Sequence, residues 1–222
     1  MTAPFADRRA AGRALAEALK GYRGRSDVVV LALPRGGVPV AYEVARALHA
    51  PLDVFTVRKL GVPGHRELAM GAVATGGSVV LDRDLIQRLQ VPADELEAVI
   101  DDESRELLRR EAAYRDHRRR PSLGGTVAIV VDDGLATGAS MQAAIEALRT
   151  RHPARIVAAA PVGAGATCER LRSIADQVVC PLQPEPFFAV GMYYEDFGQT
   201  TDDEVRALLN QAERERRTWQ VA

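Results

Sequence analysis

The chain has 222 residues, enough to bury a substantial core, and its 29 Lys and Arg against 30 Asp and Glu leave a formal net charge of −1. That balance argues against a nucleic-acid binder working through bulk charge, because such domains carry a basic excess or a basic face. The opening MTAPFADRRAAGRALAEALK lacks a long apolar core behind a basic start, and no later run is long enough to cross a bilayer, so a cytoplasmic protein without membrane contact is expected.

Asp7 is placed to cap a helix running to Lys20, with Ala11, Leu15, Ala18 and Leu19 on its apolar side. Residues 28–33 are apolar without a break, as in a strand covered on both faces of a parallel sheet. They end in Pro34-Arg35-Gly36-Gly37, and a helical stretch follows over 38–49. The strand expected at 52–57 runs into Arg58, Lys59, Leu60, Gly61, Val62, Pro63, Gly64, His65, Arg66 and Glu67, whose glycines and proline predict a mobile loop able to fold over a ligand. An antiparallel hairpin is expected from 68–74 and 78–81, joined by Thr75-Gly76-Gly77. A long helix follows over 91–120, acidic at its start and arginine-rich at its end. That basic end reads as a dipole-matched, solvated terminus in preference to a nucleic-acid surface.

Residues 127–131, VAIVV, form a second unbroken apolar strand with Asp132 and Asp133 at its carboxyl end. Ala136, Thr137, Gly138, Ala139 and Ser140 then present successive backbone N–H groups with little side-chain bulk, where a helix over 141–149 begins. A strand at 156–160, a helix at 166–175, a strand at 177–180 and a charged helix at 201–219 complete the chain. Strand and helix alternate, which predicts an α/β fold with a mainly parallel, doubly wound sheet and its ligand at the carboxyl ends of the strands. One domain over 1–222 is expected, with a core over about 27–182 and a hood and lobe from 1–26 and 183–222. Cys168 and Cys180 have the pattern of buried small hydrophobes and are expected to be reduced and structural. The histidines show no zinc spacing, and no dedicated metal-binding residue is expected.

The order strand, two acids, small-residue loop, helix has a chemical meaning. Carboxylates accept hydrogen bonds from hydroxyls, and unpaired amides at a helix start hold phosphate. A division follows, with Asp132 and Asp133 on a ribose diol and residues 136–140 on its 5′-phosphate. The simpler alternative is a strand-turn-helix connection whose acids merely cap the helix.

The segment resembles the phosphoribosyl pyrophosphate (PRPP) signature of type I phosphoribosyltransferases. Gly134 stands where an aliphatic residue is usual, and Ala136 and Ala139 replace Thr and Gly. Pro34, Arg35, Gly36 and Gly37 resemble the pyrophosphate loop of the same family, which often holds a strained or cis peptide; Arg35 offers a forked donor and the glycines admit backbone amides to the anion. Arg58 and Lys59 with the downstream Pro63-Gly64 are similar to the start of the flexible catalytic loop in adenine phosphoribosyltransferases, though Val62 replaces a basic residue there. Only Lys20 and Lys59 are lysine in this arginine-rich chain, which singles out Lys59.

The resemblance implies transfer of the phosphoribosyl group from PRPP to a nucleobase-like nitrogen acceptor, with Mg²⁺ bound mainly through PRPP, pyrophosphate released, and a homodimeric assembly. It implies catalytic roles for Arg58, Lys59, Asp132 and Asp133. His65, Arg66 and Glu67 are candidate lid residues, with plain solvation as the alternative for His65. Five of the chain's Phe and Tyr residues crowd into 187–197, where Phe187 and Phe188 are candidates to stack on a base or else pack on the sheet. A PRPP-binding or nucleotide-binding regulator on the same fold, without transfer, is the alternative function.

Overall fold

A computed structural model describes residues 4–115 and 120–219. Five parallel strands form the central sheet in the order β2-β1-β6-β7-β8: β1 Val28–Ala32, β2 Leu52–Val54, β6 Val127–Val131, β7 Arg155–Ala159 and β8 Gln177–Val179. A second, three-stranded antiparallel sheet joins β3 Val57–Val62, β4 His65–Ala74 and β5 Ser78–Leu81. The helices are α1 Arg8–Ala18, α2 Gly37–Leu48, α3 Arg83–Arg88, α4 Ala93–Arg115, α5 Ala139–Arg149, α6 Gly165–Arg172 and α7 Asp202–Trp219. The expected α/β class with a mainly parallel sheet is what the chain adopts.

The unbroken apolar runs follow from burial on both faces. Val28, Val30, Ala32, Val127, Ile129 and Val131 pack toward α1, α2 and α7, while Val29, Leu31, Ala128 and Val130 pack toward α5 and α6. Asp7 caps α1 as expected, its side chain accepting from the Ala10 N–H at 2.6 Å. Cys168 and Cys180 are buried and not disulfide-bonded, and burial pushes both thiols up, as befits structural cysteines. No described helix is long and apolar enough to cross a membrane.

Two expectations need correction. The run from Arg58 to Glu67 is not an irregular loop but most of a β-hairpin: β3 and β4 pair from Val57↔Ala74 to Val62↔His65, turning through Pro63 and Gly64. Gly64 takes φ +75°, a left-handed conformation that glycine adopts without the penalty a Cβ would bring. The helix expected at 91–120 begins at Ala93, and its arginine-rich end at 116–119 lies outside the described residues. Leu60, Val62, Met70 and Val73 of the hairpin pack with Leu107 of α4 in an apolar cluster of their own.

Candidate active site

Strands β1 and β6 run side by side with Ala32 opposite Val131, so Pro34 and Asp132 leave the sheet at the same edge. Chain connections diverge here, β2 lying on one side of β1 and β6 on the other, which makes it the switch point where open α/β sheets leave a crevice. The Leu33 N–H donates to Val131 O at 2.9 Å and the Gly37 N–H to Leu33 O at 3.1 Å, closing a tight turn in which the Pro34–Arg35 peptide is cis. The family resemblance anticipates that geometry. A side chain at Gly36 would place Cβ 2.1 Å from Asp133 Oδ2, and one at Gly37 would place it 2.6 Å from Val131 O. The glycine turn therefore lies against the acid pair with no room for a methyl group on either residue.

The two acids differ in environment. Asp132 Oδ1 accepts from the Asp133 N–H at 2.9 Å, and burial, then the neighbouring Asp133 charge, push the Asp132 carboxyl up to about 8. Asp133 instead meets a cation: Arg8 Nε, at the start of α1, donates to Asp133 Oδ2 at 2.8 Å, with both side chains largely buried. Arg8 Nη1 also donates to Gly198 O at 2.6 Å, and its guanidinium lies 3.9 Å from the centre of the Phe197 ring. The Tyr194 hydroxyl donates to the Asp133 main-chain carbonyl at 2.5 Å, and burial pushes that hydroxyl's pKa up.

A raised carboxyl has a definite pH signature. Between its ordinary value of 3.8 and about 8, folded Asp132 holds a proton that the unfolded chain has lost, so stability falls as pH rises through that window. Melting temperature against pH is expected to decline from about pH 4 to about pH 8, and Asp132→Asn to flatten that decline. An unchanged slope in the variant would assign the decline to other groups.

The small-residue loop is fastened at its start and along one side. Leu135 N–H donates to Val162 O at 2.9 Å, and Ala164 N–H to Leu135 O at 2.9 Å. Thr167 Oγ1 donates to Ala136 O at 2.6 Å and Arg170 Nη2 to Thr137 O at 2.5 Å, both from α6. Gly138 takes φ +68° as the N-cap of α5, and Ala139 and Ser140 open that helix, where first-turn amides have no intrahelical acceptor. Gly134 is explained by a neighbour: a Cβ there would lie 2.4 Å from Val190 Cγ1, so Val190 from the hood fills the volume that an aliphatic side chain would take.

The candidate cations are dispersed. Arg35 Nη1 lies 3.6 Å from Asp202 at the start of α7. Arg58 and Lys59 are adjacent in a strand and so face opposite ways. Arg58 turns to α4 and pairs with Glu103 at 2.5 Å. Lys59 lines a cavity of about 430 Å³ with Ala139, Gln142 and Glu146 of α5. His65 is exposed at the start of β4, and the side chains of Arg66 and Glu67 lie outside the described residues. Phe187 stacks on Tyr193, ring centres 5.5 Å apart, in a hood cluster with Phe5, Val162, Val190 and Tyr194; Phe188 is 71% exposed.

Comparison with known proteins assigns this architecture. The family model described as phosphoribosyl transferase domain matches residues 66–196, more than half the chain. The chain belongs to the phosphoribosyl transferase domain family. Within that family it is 47% identical over 211 residues to a Mycobacterium tuberculosis protein described as "Putative phosphoribosyl transferase Rv0571c", and equally to "Putative phosphoribosyl transferase MT0597" of another strain. These alignments cover 95% of this chain and 47% of each relative, so the chain spans about half the length of the curated relatives it matches. The crystal structure of TT1426 from Thermus thermophilus superposes with a TM-score of 0.84 at 45% identity, covering 93% of this chain and 98% of that one.

Sequence reasoning about this phosphoribosyl transferase domain missed Arg8, Val190, Tyr194, Thr167 and Arg170. Arg8 is 125 residues from the carboxylate that it holds, and no local pattern announces such a contact. The one available signal was Gly134, a departure from the family pattern that called for a compensating side chain elsewhere.

Proposed function

We propose that this chain is a phosphoribosyltransferase that takes PRPP with Mg²⁺ and transfers the phosphoribosyl group to a nitrogen of a nucleobase-like acceptor. The bond from C1 to the pyrophosphate oxygen breaks, a bond from C1 to nitrogen forms with inversion, and the acceptor's proton passes to solvent. One observation carries this reading: the glycine turn, the acid pair and the amide-rich helix start meet at one edge of the sheet, with Gly36 packed against the Asp133 carboxylate.

In this reading Ala136, Thr137, Gly138, Ala139 and Ser140 hold the 5′-phosphate, Asp132 and Asp133 the ribose hydroxyls, and Pro34, Arg35, Gly36 and Gly37 the pyrophosphate. Catalysis is mainly orientation and charge stabilisation of the leaving group. The donor set fits Mg²⁺ carried on the substrate, since that ion keeps several waters and uses few protein ligands; Asp132 and Asp133 would meet its hydration shell through those waters, with no dedicated protein ligand needed. When bound, it would neutralise charge on the departing pyrophosphate.

Lys59 is the leaving-group cation that this reading retains, held on β3 beside the start of α5. Lys59→Ala is expected to lower kcat roughly 10²-fold with melting temperature unchanged. Arg58→Ala is expected to act on stability instead, by about 1 kcal/mol, because its guanidinium is committed to Glu103. Steady-state kinetics beside thermal melts would show the split, and equal kcat losses in both variants would refute it.

The commitment of Arg58 to Glu103 and of Arg8 to Asp133 is the observation that favours the second reading, a PRPP-binding regulator without transfer. Pyrophosphate release from PRPP and Mg²⁺ across purine, pyrimidine and non-nucleobase acceptors, with calorimetric binding in parallel, decides between them. Acceptor-dependent release supports the transferase, binding with no release across the panel supports the regulator, and no binding overturns both.

A further inference from the structure

We infer that α6, through Thr167 and Arg170, sets the direction of two backbone donors in the 5′-phosphate loop, making α6 a positioning element for a sugar phosphate monoester. This rests on the phosphoribosyl reading of the site and assigns residues that neither the loop motif nor that reading contains. Peptide geometry supplies the link. In a planar trans peptide the C=O and the following N–H point in opposite directions, so fixing one fixes the other.

Thr167 Oγ1 donates to Ala136 O at 2.6 Å, which turns the Thr137 N–H away from α6. Arg170 Nη2 donates to Thr137 O at 2.5 Å, which turns the Gly138 N–H the same way. The two residues are three apart and share a helix face, so they grip consecutive carbonyls. Gly138 completes the fit: a Cβ there would lie 2.5 Å from the Thr167 methyl carbon, so the loop lies flat on α6.

On the other side the loop is open. Ala136 and Thr137 are exposed, and among the described residues neither the Thr137 nor the Gly138 N–H has a protein acceptor. Two aimed, unpaired amides beside the α5 N-terminus form an anion cradle, and a doubly charged phosphate monoester suits it better than a neutral sugar. The loop lacks a hydroxyl at Ala136, so its own side chains supply less than the family pattern does, and orientation of the amides matters correspondingly more. A free loop would sample both peptide orientations and lose affinity without losing a single contact atom.

Calorimetric titration with ribose 5-phosphate, PRPP–Mg²⁺ and pyrophosphate–Mg²⁺ on the wild type, Thr167→Val, Arg170→Gln and Arg170→Lys tests this. Ribose 5-phosphate and PRPP are expected to bind roughly tenfold more weakly to Thr167→Val and to Arg170→Gln. Pyrophosphate–Mg²⁺ affinity is expected to stay within about twofold, and Arg170→Lys to recover part of the loss, since an ammonium still donates to one carbonyl. Arg170 is exposed, so its variants are expected to fold normally. Unchanged ribose 5-phosphate affinity in both substitutions, with a binding wild type, overturns the positioning role and leaves the phosphoribosyl reading standing. Equal weakening of all three ligands together with a lowered melting temperature also overturns it, by showing that α6 only holds the fold. A wild type that binds none of the ligands overturns the phosphoribosyl reading and this inference with it.

Discussion

Alanine at position 36 is expected to reduce pyrophosphate release from PRPP at least 10²-fold while leaving the melting temperature within a few degrees of wild type. Gly36 has φ −58° and ψ −34°, dihedrals that alanine adopts freely, so no backbone penalty is involved. The effect is steric and local. The new methyl would sit 2.1 Å from Asp133 Oδ2 and 2.8 Å from its Cγ. Asp133 has little freedom to retreat, because Arg8 holds that same oxygen at 2.8 Å and the Tyr194 hydroxyl holds its carbonyl at 2.5 Å. The glycine turn is the part that moves, and it takes Arg35 and the pyrophosphate amides with it; a displacement of about 1 Å of a positioning group costs on the order of 10² in rate. Gly37→Ala provides the contrast, since its methyl would meet the β6 backbone at Val131 O and disturb the sheet. Gly21→Ala, with nothing within 4 Å, controls for the substitution itself. Full activity in Gly36→Ala would separate the turn from the reacting site.

The parts of this fold legible in the sequence are those whose cause is local. Residues 28–32 and 127–131 read as buried parallel strands because helices cover both sheet faces and leave no polar position to interrupt the run. The acid pair and the small-residue loop were legible for a related reason: a strand end, a turn and a helix start are contiguous in the chain. The expected hairpin of 68–74 with 78–81 is present as the β4–β5 pair, but the β3–β4 hairpin before it is not legible, because Gly61, Pro63 and Gly64 carry the composition of a loop and β3 is too short and too irregular in register to show a clear alternation. That error had a chemical consequence, since a flexible loop lets Arg58 and Lys59 act together whereas a strand sends them to opposite faces. The hood was legible in composition only. Aromatic residues at 187–197 announced a cluster, but whether a ring faces a ligand or another ring depends on long-range placement, as the Phe187–Tyr193 stack shows. Arg8, Thr167 and Arg170 act on carbonyls and a carboxylate far from them in the chain, where no pattern exists to be read.

Arg8 and Asp133 allow the structural and chemical roles of the acid to be separated. Each side chain is largely withdrawn from water, 12% and 16% exposed, so removing either partner strands the other. Arg8→Gln and Asp133→Asn are each expected to lower unfolding free energy by about 2 kcal/mol, less than the roughly 3–5 kcal/mol of a fully buried pair because some solvent screening persists. The double variant Arg8→Gln/Asp133→Asn leaves no stranded charge, and two amide side chains can still exchange a hydrogen bond. It is expected to be less destabilised than the sum of the single variants, with a coupling of about 1 kcal/mol in a double-mutant cycle from denaturant melts. PRPP affinity is expected to follow a different rule. Asp133→Asn should weaken it about 10- to 100-fold, the worth of a hydrogen bond to a charged acceptor, and the double variant should stay as weak despite its recovered fold. Arg8→Gln alone should bind PRPP within a few-fold of wild type once the fold is saturated at low temperature. If affinity recovers with stability in the double variant, Asp133 serves the fold and the ribose contact belongs to Asp132; if stability recovers and affinity does not, the carboxylate itself meets the sugar, and Arg8 is the clamp that joins the N-terminal helix and the hood to it.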